Sequence, residues 1–392
     1  MKKMIASLLT ASTMAAAIAA GPSESVHAST TNTQKEVSHS IMKAAPKKPA
    51  PKKPAPPVVK LLEGNVTSPR WIDESHVMVT KVTDNGMQEY ILNVPTKKYE
   101  LIKGKPADAS EMVVSHDGKH AAFLNEEGHV YIMNLKTKTS KKISEDAEIK
   151  TELQFSHDGT KLFYVAGEKS GVIAAMNVAD GVITTILDDK VSYKSELQIS
   201  ADGKKYLYSV RNTGKVTEGQ PPTEDNPNTD GDVVEVDLTG TEPQLFLFSE
   251  GKPTQLTTGT EEKENAVFLK DGRIAYMSVD MENTQKNPEL KVLDPEGKTS
   301  FTAVNQLSII QMAIRDNGLI RVLAEDEKGN KAIYQVSITG KKAETKKISY
   351  VDRATESMYY GPYGDNVSLT ISTAHGEKVV VAYKKKWTFL TK

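Results

Sequence analysis

A repeated unit of roughly forty residues constrains the fold of this chain more than any other feature. Residues 111–144, EMVVSHDGKHAAFLNEEGHVYIMNLKTKTSKKIS, are typical of it: four short strand-like runs are separated by turn residues. The pair Asp117-Gly118 tolerates the positive φ of a tight hairpin. A single four-stranded meander leaves both faces of its sheet uncovered. Repeated around an axis, each sheet covers the next, which indicates a β-propeller.

Seven such units follow one another from about residue 68 onwards. The hairpin turn recurs in every unit, at Asp73-Glu74, Asp117-Gly118, Asp158-Gly159, Asp202-Gly203, Asp271-Gly272, Asp316-Asn317-Gly318 and Gly364-Asp365. Apolar runs typical of a third strand lie at residues 90–92, 130–132, 172–174, 233–236, 290–293, 333–336 and 379–381. The pattern predicts an all-β fold, a β-propeller of four-stranded antiparallel blades, with seven blades favoured over six or eight. Residues 58–62 resemble an outer strand that could pair beside residues 387–390 and help to close the ring.

Three segments, FSHDGTKLFYVAG, ISADGKKYLYSV and GDVVEVDLTGTEPQLFLF, resemble the repeats of TolB-type propellers. Those repeats read as an aromatic or aliphatic residue, Ser, a short gap, Asp-Gly-Lys and an apolar strand. The resemblance covers most of residues 68–392 and implies the propeller fold of a secreted bacterial protein. It implies little about activity, because these propellers serve as binding platforms, enzyme domains and scaffolds. TolB-type propellers commonly have six blades, whereas seven units are counted here, and the dipeptide of WD-repeat propellers is absent.

Residues 1–28 are predicted to be a secretory signal peptide. Lys2 and Lys3 form a basic start, residues 4–20 are uncharged and largely apolar, and Val26-His27-Ala28 fits a small-residue cleavage site. No second apolar stretch of spanning length is present. We therefore expect a secreted, extracellular or cell-envelope protein that does not span the membrane after removal of the signal.

Residues 29–57 are predicted to be a disordered linker rich in Pro and Lys, and residues 58–392 to be the propeller domain. Proline at this density favours extended polyproline II geometry. Residues 29–60 hold seven lysines against one glutamate, whereas the whole chain has a formal net charge of −1. A basic arm on an acidic body suggests contact with an anionic surface such as a cell-wall polymer. The alternative is a solvated spacer that its own charge keeps extended.

One insertion, residues 211–232, interrupts the repeat, and long loops in compact repeats often carry function. Alternating oxygen-bearing side chains resemble part of a calcium loop. The candidate ligands are Asn226, Asn228, Asp230, Asp232 and Asp237. A flexible acidic hairpin loop without metal is the alternative, and the extra residues could instead lie later, where residues 248–257 look like a second outer strand. No cofactor other than this calcium ion is expected.

No catalytic motif is found. The chain has no Cys, and neither G-x-S-x-G nor H-E-x-x-H occurs. His116 and His157 both precede the Asp of the repeated turn and are interpreted as turn residues. The chain is therefore predicted to be a non-enzymatic, monomeric binding or scaffold module for a protein or a cell-wall polymer, with no nucleic-acid partner.

Two alternatives to this function are kept. The first is a channel-centred enzyme, lactonase-like or lyase-like, whose side chains converge from several blades on the central channel. The second is a wall-tethered structural protein that binds through its basic linker.

Overall fold

The structure, a computed structural model, describes residues 60–217, 235–237, 240–283, 285–294, 296–315, 318–361 and 365–392. In these ranges the strands form seven four-stranded antiparallel sheets and one two-stranded ribbon. The predicted all-β propeller with seven blades is confirmed. The same ranges contain no helix that is long and apolar enough to cross a membrane.

Each of blades 1 to 3 is made of four consecutive strands. Blade 1 comprises β1 (Val66–Trp71), β2 (His76–Thr83), β3 (Gly86–Asn93) and β4 (Tyr99–Leu101). Blade 2 comprises β5 (Val113–Val114), β6 (His120–Leu124), β7 (Val130–Asn134) and β8 (Thr139–Lys142). Blade 3 comprises β9 (Lys150–Phe155), β10 (Lys161–Ala166), β11 (Val172–Asn177) and β12 (Ile183–Leu187).

Blades 5 to 7 repeat this arrangement. Blade 5 comprises β19 (Glu262–Phe268), β20 (Ile274–Val279), β21 (Glu289–Leu293) and β22 (Ser300–Val304). Blade 6 comprises β23 (Ser308–Ile314), β24 (Ile320–Glu325), β25 (Lys331–Thr339) and β26 (Lys342–Tyr350). Blade 7 comprises β27 (Thr355–Tyr360), β28 (Val367–Thr373), β29 (Gly376–Tyr383) and β30 (Lys386–Phe389).

Blade 4 contains the insertion and corrects one predicted strand. Its strands are β13 (Lys194–Ile199), β14 (Lys205–Val210), β17 (Gln244–Ser249) and β18 (Lys252–Gln255), while β15 (Lys215–Thr217) and β16 (Glu235–Asp237) form the separate ribbon. Residues 235 and 236, predicted for the third strand, lie in that ribbon instead. The third strand is β17, which pairs with β14 along its whole length and buries Leu245 completely. The outer strand predicted near residues 248–257 is confirmed as β18.

Hydrogen bonds explain why the Ser-x-Asp-Gly-Lys sequence recurs. In blade 2 the Ser115 hydroxyl donates to Asp117 Oδ1 at 2.8 Å and accepts from the backbone N–H of His120 at 2.9 Å. Asp117 Oδ1 also accepts from the N–H of Lys119, and Gly118 has a φ of 67°. The same bonds recur at Ser156 and Asp158 in blade 3 and at Ser200 and Asp202 in blade 4. Each blade therefore fixes its own first hairpin through local side chains.

Packing rather than strand exchange closes the ring between blades 7 and 1. Buried Val77 and Val79 of blade 1 share one apolar cluster with Val379 and Val381 of blade 7. Residues 58–62 were predicted to pair beside the last strand; residues 58 and 59 lie outside the described residues, and residues 60–62 make one parallel bridge, between Leu62 and Thr391. All four strands of blade 7 are consecutive in the chain.

Candidate active site at the channel mouth

The first strands of the blades lie innermost: those of blades 2 to 7 contact one another in turn around the axis, and that of blade 7 contacts that of blade 1. The hairpins that follow them surround a pocket of about 510 Å³, here called the channel-mouth pocket. Five consecutive blades, from blade 2 to blade 6, contribute to its lining through His116, Gln154, Gln198, Phe268 and Ile314, among others. A cavity to which several blades contribute is a usual place for a ligand site.

Two imidazoles meet in this pocket. The ring centroids of His116 and His157 lie 4.2 Å apart with an interplanar angle of 38°. His116 is half-buried and His157 is exposed. Both were predicted from the sequence to be turn residues, and they do lie in the first hairpins of blades 2 and 3, beside the Ser–Asp hydrogen bonds of those turns. The equivalent positions of two adjacent blades thus place two titratable rings together at the pocket.

Cationic side chains surround the imidazoles. Lys205, Lys270 and Arg315 line the pocket, and Asp202 is the one carboxylate among its lining residues in the part of the chain that the structure describes. The pKa of Asp202 is lowered by the hydroxyl of Ser200 and by a backbone N–H, so this carboxylate is charged and already hydrogen-bonded. The described part of the lining therefore carries an excess of positive charge, which favours an anionic ligand.

The floor of the pocket offers a free acceptor. Gln154 lies at the end of the inner strand β9, and its Oε1 is buried without a hydrogen-bond donor among the described residues. Buried polar atoms are normally paired, so an unpaired carbonyl oxygen beside an open pocket suits a hydroxyl group of a bound molecule.

The wall of the channel carries a second group of charges, the channel-wall glutamates Glu152, Glu196 and Glu264. Burial raises the pKa of Glu196 to about 7; Glu264 and Glu152 raise it as well, against hydrogen bonds from Asn265 and Ser209. The Asn265 N–H donates to Glu196 Oε2 at 3.1 Å and thus joins blades 4 and 5. Desolvation by the surrounding protein is also the main cause of the raised pKa of the half-buried Glu264 and of Glu152, whose side chain still reaches solvent.

Glu152 and Glu196 occupy β-bulges of β9 and β13 and have φ values of 58° and 52°. The backbone N–H groups of Glu196 and Leu197 face the Glu152 carboxylate, as that of Asn265 faces Glu196. These carboxylates therefore hold neighbouring blades together. Sequence reasoning missed them, although the repeated Glu-Leu-Gln of residues 152–154 and 196–198 was a visible signal.

The channel-wall glutamates do not form a metal centre. In the ranges that the structure covers, no group of three or more His, Asp or Glu side chains could hold a metal ion. The calcium loop predicted from sequence is not tested by this result, because Asn226, Asn228, Asp230 and Asp232 lie outside the described residues. Only the backbone of Asp237 is described, as the last residue of β16, paired with Lys215.

Comparison with known proteins identifies the fold. No family model and no curated protein matches the chain. An oligogalacturonate lyase in complex with manganese matches with a TM-score of 0.59 at 10% identity, over 80% of this chain and 86% of that one. The β-propeller domain of the Trilobed protease from Pyrococcus furiosus, described as having an open velcro topology, matches at 0.55 and 16% identity, over 85% and 97%. The chain is a β-propeller.

Acylaminoacyl peptidase from Pyrococcus horikoshii also matches, with a TM-score of 0.57 at 14% identity over 84% of this chain. This chain spans about half, 52%, of the peptidase. TolB from Acinetobacter baumannii is similar at 14% identity over 73% of this chain, with a TM-score of 0.42. The predicted likeness to TolB-type propellers is confirmed as a likeness of fold, which rests on the seven blades and on the propellers above.

The comparisons correct the predicted function. The chain is predicted from sequence to be a non-enzymatic binding or scaffold module, but the propellers that it matches belong mostly to enzymes, namely peptidases and oligogalacturonate lyases. The prediction that the chain is not an enzyme is contradicted as well. That prediction rested on the absence of linear catalytic motifs, but a site assembled from several blades leaves no such motif in the sequence.

Proposed function

We propose that this protein is an enzyme whose active site is the channel-mouth pocket, a lyase that cleaves an acidic oligosaccharide by β-elimination. The observation that carries the proposal is the contact between His116 and His157, at 4.2 Å between ring centroids, inside a pocket lined by cationic side chains. Imidazole is the most frequent general acid or base in enzymes. Two adjacent imidazoles supply one of each.

In β-elimination one imidazole removes the proton on the carbon next to the sugar carboxylate. The electron pair of that C–H bond forms a carbon–carbon double bond as the glycosidic C–O bond breaks. The second imidazole, in its protonated form, gives a proton to the departing oxygen. Water is neither consumed nor released, and no oxidant is needed.

The pocket charges suit the carbanion-like transition state of this reaction. Negative charge moves onto the substrate carboxylate as the proton leaves, and a fixed cation beside it lowers the barrier. Arg315 and Lys270 supply such cations from blades 6 and 5. The unpaired Oε1 of Gln154 accepts a hydrogen bond from a sugar hydroxyl and thereby orients the ring.

Two comparisons favour a lyase over a peptidase. The oligogalacturonate lyases match over 86% and 92% of their own length, whereas the peptidase is matched over 52% of its length. The lyase structure with manganese raises the question of a metal here. Among the described residues no three His, Asp or Glu side chains form a group that could hold this ion, and the reaction proposed above is written without one.

The test is turnover by the full chain on acidic oligosaccharides, followed by the ultraviolet absorbance of the new double bond. Loss of a general acid or base lowers the rate by about 10²- to 10⁴-fold, so His116→Ala and His157→Ala should each do so. His375→Ala is the matched control, because His375 is exposed in the β28–β29 turn. Absence of turnover on every acidic oligosaccharide, or full activity of the double His variant, would overturn the proposal.

We also propose that the protein acts outside the cytoplasm. Support comes from the basic start, apolar stretch and small-residue cleavage site within residues 1–28, which lie outside the described residues. Mass spectrometry of the exported chain should find Ser29 at its N-terminus. The lysine-rich segment 29–57 is proposed to contact an anionic wall polymer, and its deletion should release the protein from isolated cell walls.

A further inference from the structure

Two arginines and one tyrosine come together where blades 6 and 7 meet, on the face that carries the channel-mouth pocket. Arg315 directly follows β23, Arg321 lies in β24, and Tyr360 ends β27. The guanidinium carbon of Arg321 lies 5.1 Å from the ring centroid of Tyr360. We call Arg315, Arg321 and Tyr360 the seam cluster.

Arg321 is buried, Arg315 and Tyr360 are half-buried, and the residues described around them carry more positive than negative charge. The side chains of Arg315 and Arg321 are only 12% and 8% exposed. Both point nitrogen atoms at Oδ1 of Asp365, at 3.3 Å and 3.5 Å, and the side chain of Asp365 is 72% exposed. Among the residues described, these two guanidinium groups thus share one carboxylate that lies mostly in water.

The pKa of Arg321 reports the same imbalance. Burial lowers it, Asp365 opposes that effect, and the neighbouring charge of Arg315 lowers it again. A guanidinium keeps its proton under all ordinary conditions. The surroundings therefore hold two charges that a second anion would stabilise.

Three hydrogen-bond donors of the seam cluster are unused. Nε of Arg315, Nε of Arg321 and the hydroxyl of Tyr360 are buried, and none has a partner among the described residues. Buried donors without acceptors are rare in folded proteins, and each calls for an explanation such as a bound ion. Three of them around two arginines form the donor set that carboxylate and phosphate groups require.

We propose that the seam cluster is an oxyanion subsite that binds one carboxylate or phosphate group. The incoming oxyanion accepts from the free donors and replaces the long contacts to Asp365, which is free to turn to solvent. Because Arg315 also lines the channel-mouth pocket, the oxyanion is the acidic group of a sugar unit next to the one cleaved. This last assignment rests on the proposed function, whereas the oxyanion site does not.

Calorimetry on the full chain tests the site without turnover. The probes are a galacturonate oligomer, the matching neutral galactose oligomer and inorganic phosphate. Loss of a charge-assisted, two-pronged contact should weaken galacturonate binding about tenfold in Arg321→Lys, and loss of one hydroxyl about threefold in Tyr360→Phe. Asp365→Asn should tighten binding, since it removes the competing carboxylate.

Arg353→Lys is the matched control, because Arg353 is exposed and contacts only Asn330 among the partners described. Tyr360→Phe keeps the ring against Arg321 and so remains informative if Arg321→Lys fails to fold. Equal binding of the neutral oligomer, or weaker binding by Asp365→Asn, would overturn the oxyanion site.

Phosphate that binds as tightly as galacturonate would support the oxyanion site and overturn the sugar assignment. The same titration in His157→Ala separates the oxyanion site from the proposed reaction, because this variant lacks one of the two imidazoles but keeps the seam cluster. If no acidic oligosaccharide is cleaved but galacturonate still binds and responds to Arg321→Lys, the site stands and the proposed reaction fails.

Discussion

Replacing Glu196 with Gln tests the electrostatic cost of the channel wall. The pKa of Glu196 is about 7 in the folded chain, against 4.5 ordinarily. One pKa unit corresponds to about 1.4 kcal/mol, so ionised Glu196 lowers the free energy of unfolding by about 3 kcal/mol. The pKa of Glu196 is higher in the folded chain than in the unfolded chain. The destabilisation is therefore absent below pH 4.5, grows as the pH rises, and is complete above about pH 7.

Glutamine at this position keeps an acceptor for the Asn265 N–H and for Ser209 but carries no charge. We expect a net gain of about 2 kcal/mol near pH 8, because the weaker hydrogen bonds cost about 1 kcal/mol. For a propeller of this size the gain raises Tm by about 3 °C. At pH 4 only the hydrogen-bond cost remains, so the Tm of Glu196→Gln should lie about 1 to 2 °C below that of the unchanged chain.

The assay is thermal unfolding followed by circular dichroism at the two pH values. Glu356→Gln is the matched control, because Glu356 occupies the bulge of the inner strand of blade 7 and is exposed. It should leave Tm unchanged at both pH values. A Glu196→Gln variant that is less stable than the unchanged chain near pH 8, or equally stabilised at both pH values, would refute the reasoning.

Three further predictions concern stability. Gly118→Ala should destabilise the fold by several kcal/mol and lower Tm, because the added Cβ would lie 2.0 Å from the carbonyl oxygen of Ile72. Gly159→Ala is the control: its φ is nearly the same and its Cβ would meet nothing within 4 Å, so it should cost only about 1 to 2 kcal/mol. Lys194→Met should cost about 3 to 5 kcal/mol in urea unfolding, because it leaves the aspartate and two carbonyl oxygens around the buried ammonium without a donor; unchanged stability would contradict this. If the inserted loop binds calcium, added calcium should raise Tm, chelation should reverse the rise, and Asp230→Ala should abolish it; no response to calcium would end that proposal.

The fold was predictable because the interactions that define the repeat join residues close together in the sequence. The hydrogen bonds of Ser115 and Asp117 join residues no more than five positions apart, so each hairpin can be predicted without knowledge of the neighbouring blades. The third strand of blade 4 was predicted wrongly for the same reason. Residues 233–236 and 244–249 both look like strands locally, and only pairing with β14 decides between them.

The site was much less predictable, since it depends on distances around the ring. His116 and His157 hold the same place in two repeats, which indicates that they lie at similar distances from the axis. Whether their rings touch depends on the angle between blades and on side-chain rotamers. The seam cluster has no sequence signature, because Arg321 and Tyr360 come from different strands of different blades.

The way the ring closes has a consequence for engineering and for descent. Each blade completes its own sheet from one continuous stretch of the chain, so no strand crosses the junction between blades 7 and 1, as none crosses the other junctions. Circular permutation that joins Leu62 to Lys392, whose backbones are already hydrogen-bonded at 2.8 Å, and opens the chain between two other blades should leave all seven sheets intact. Duplication or loss of one blade likewise breaks no sheet, so duplication or deletion of one repeat in the gene can produce rings with a different number of blades.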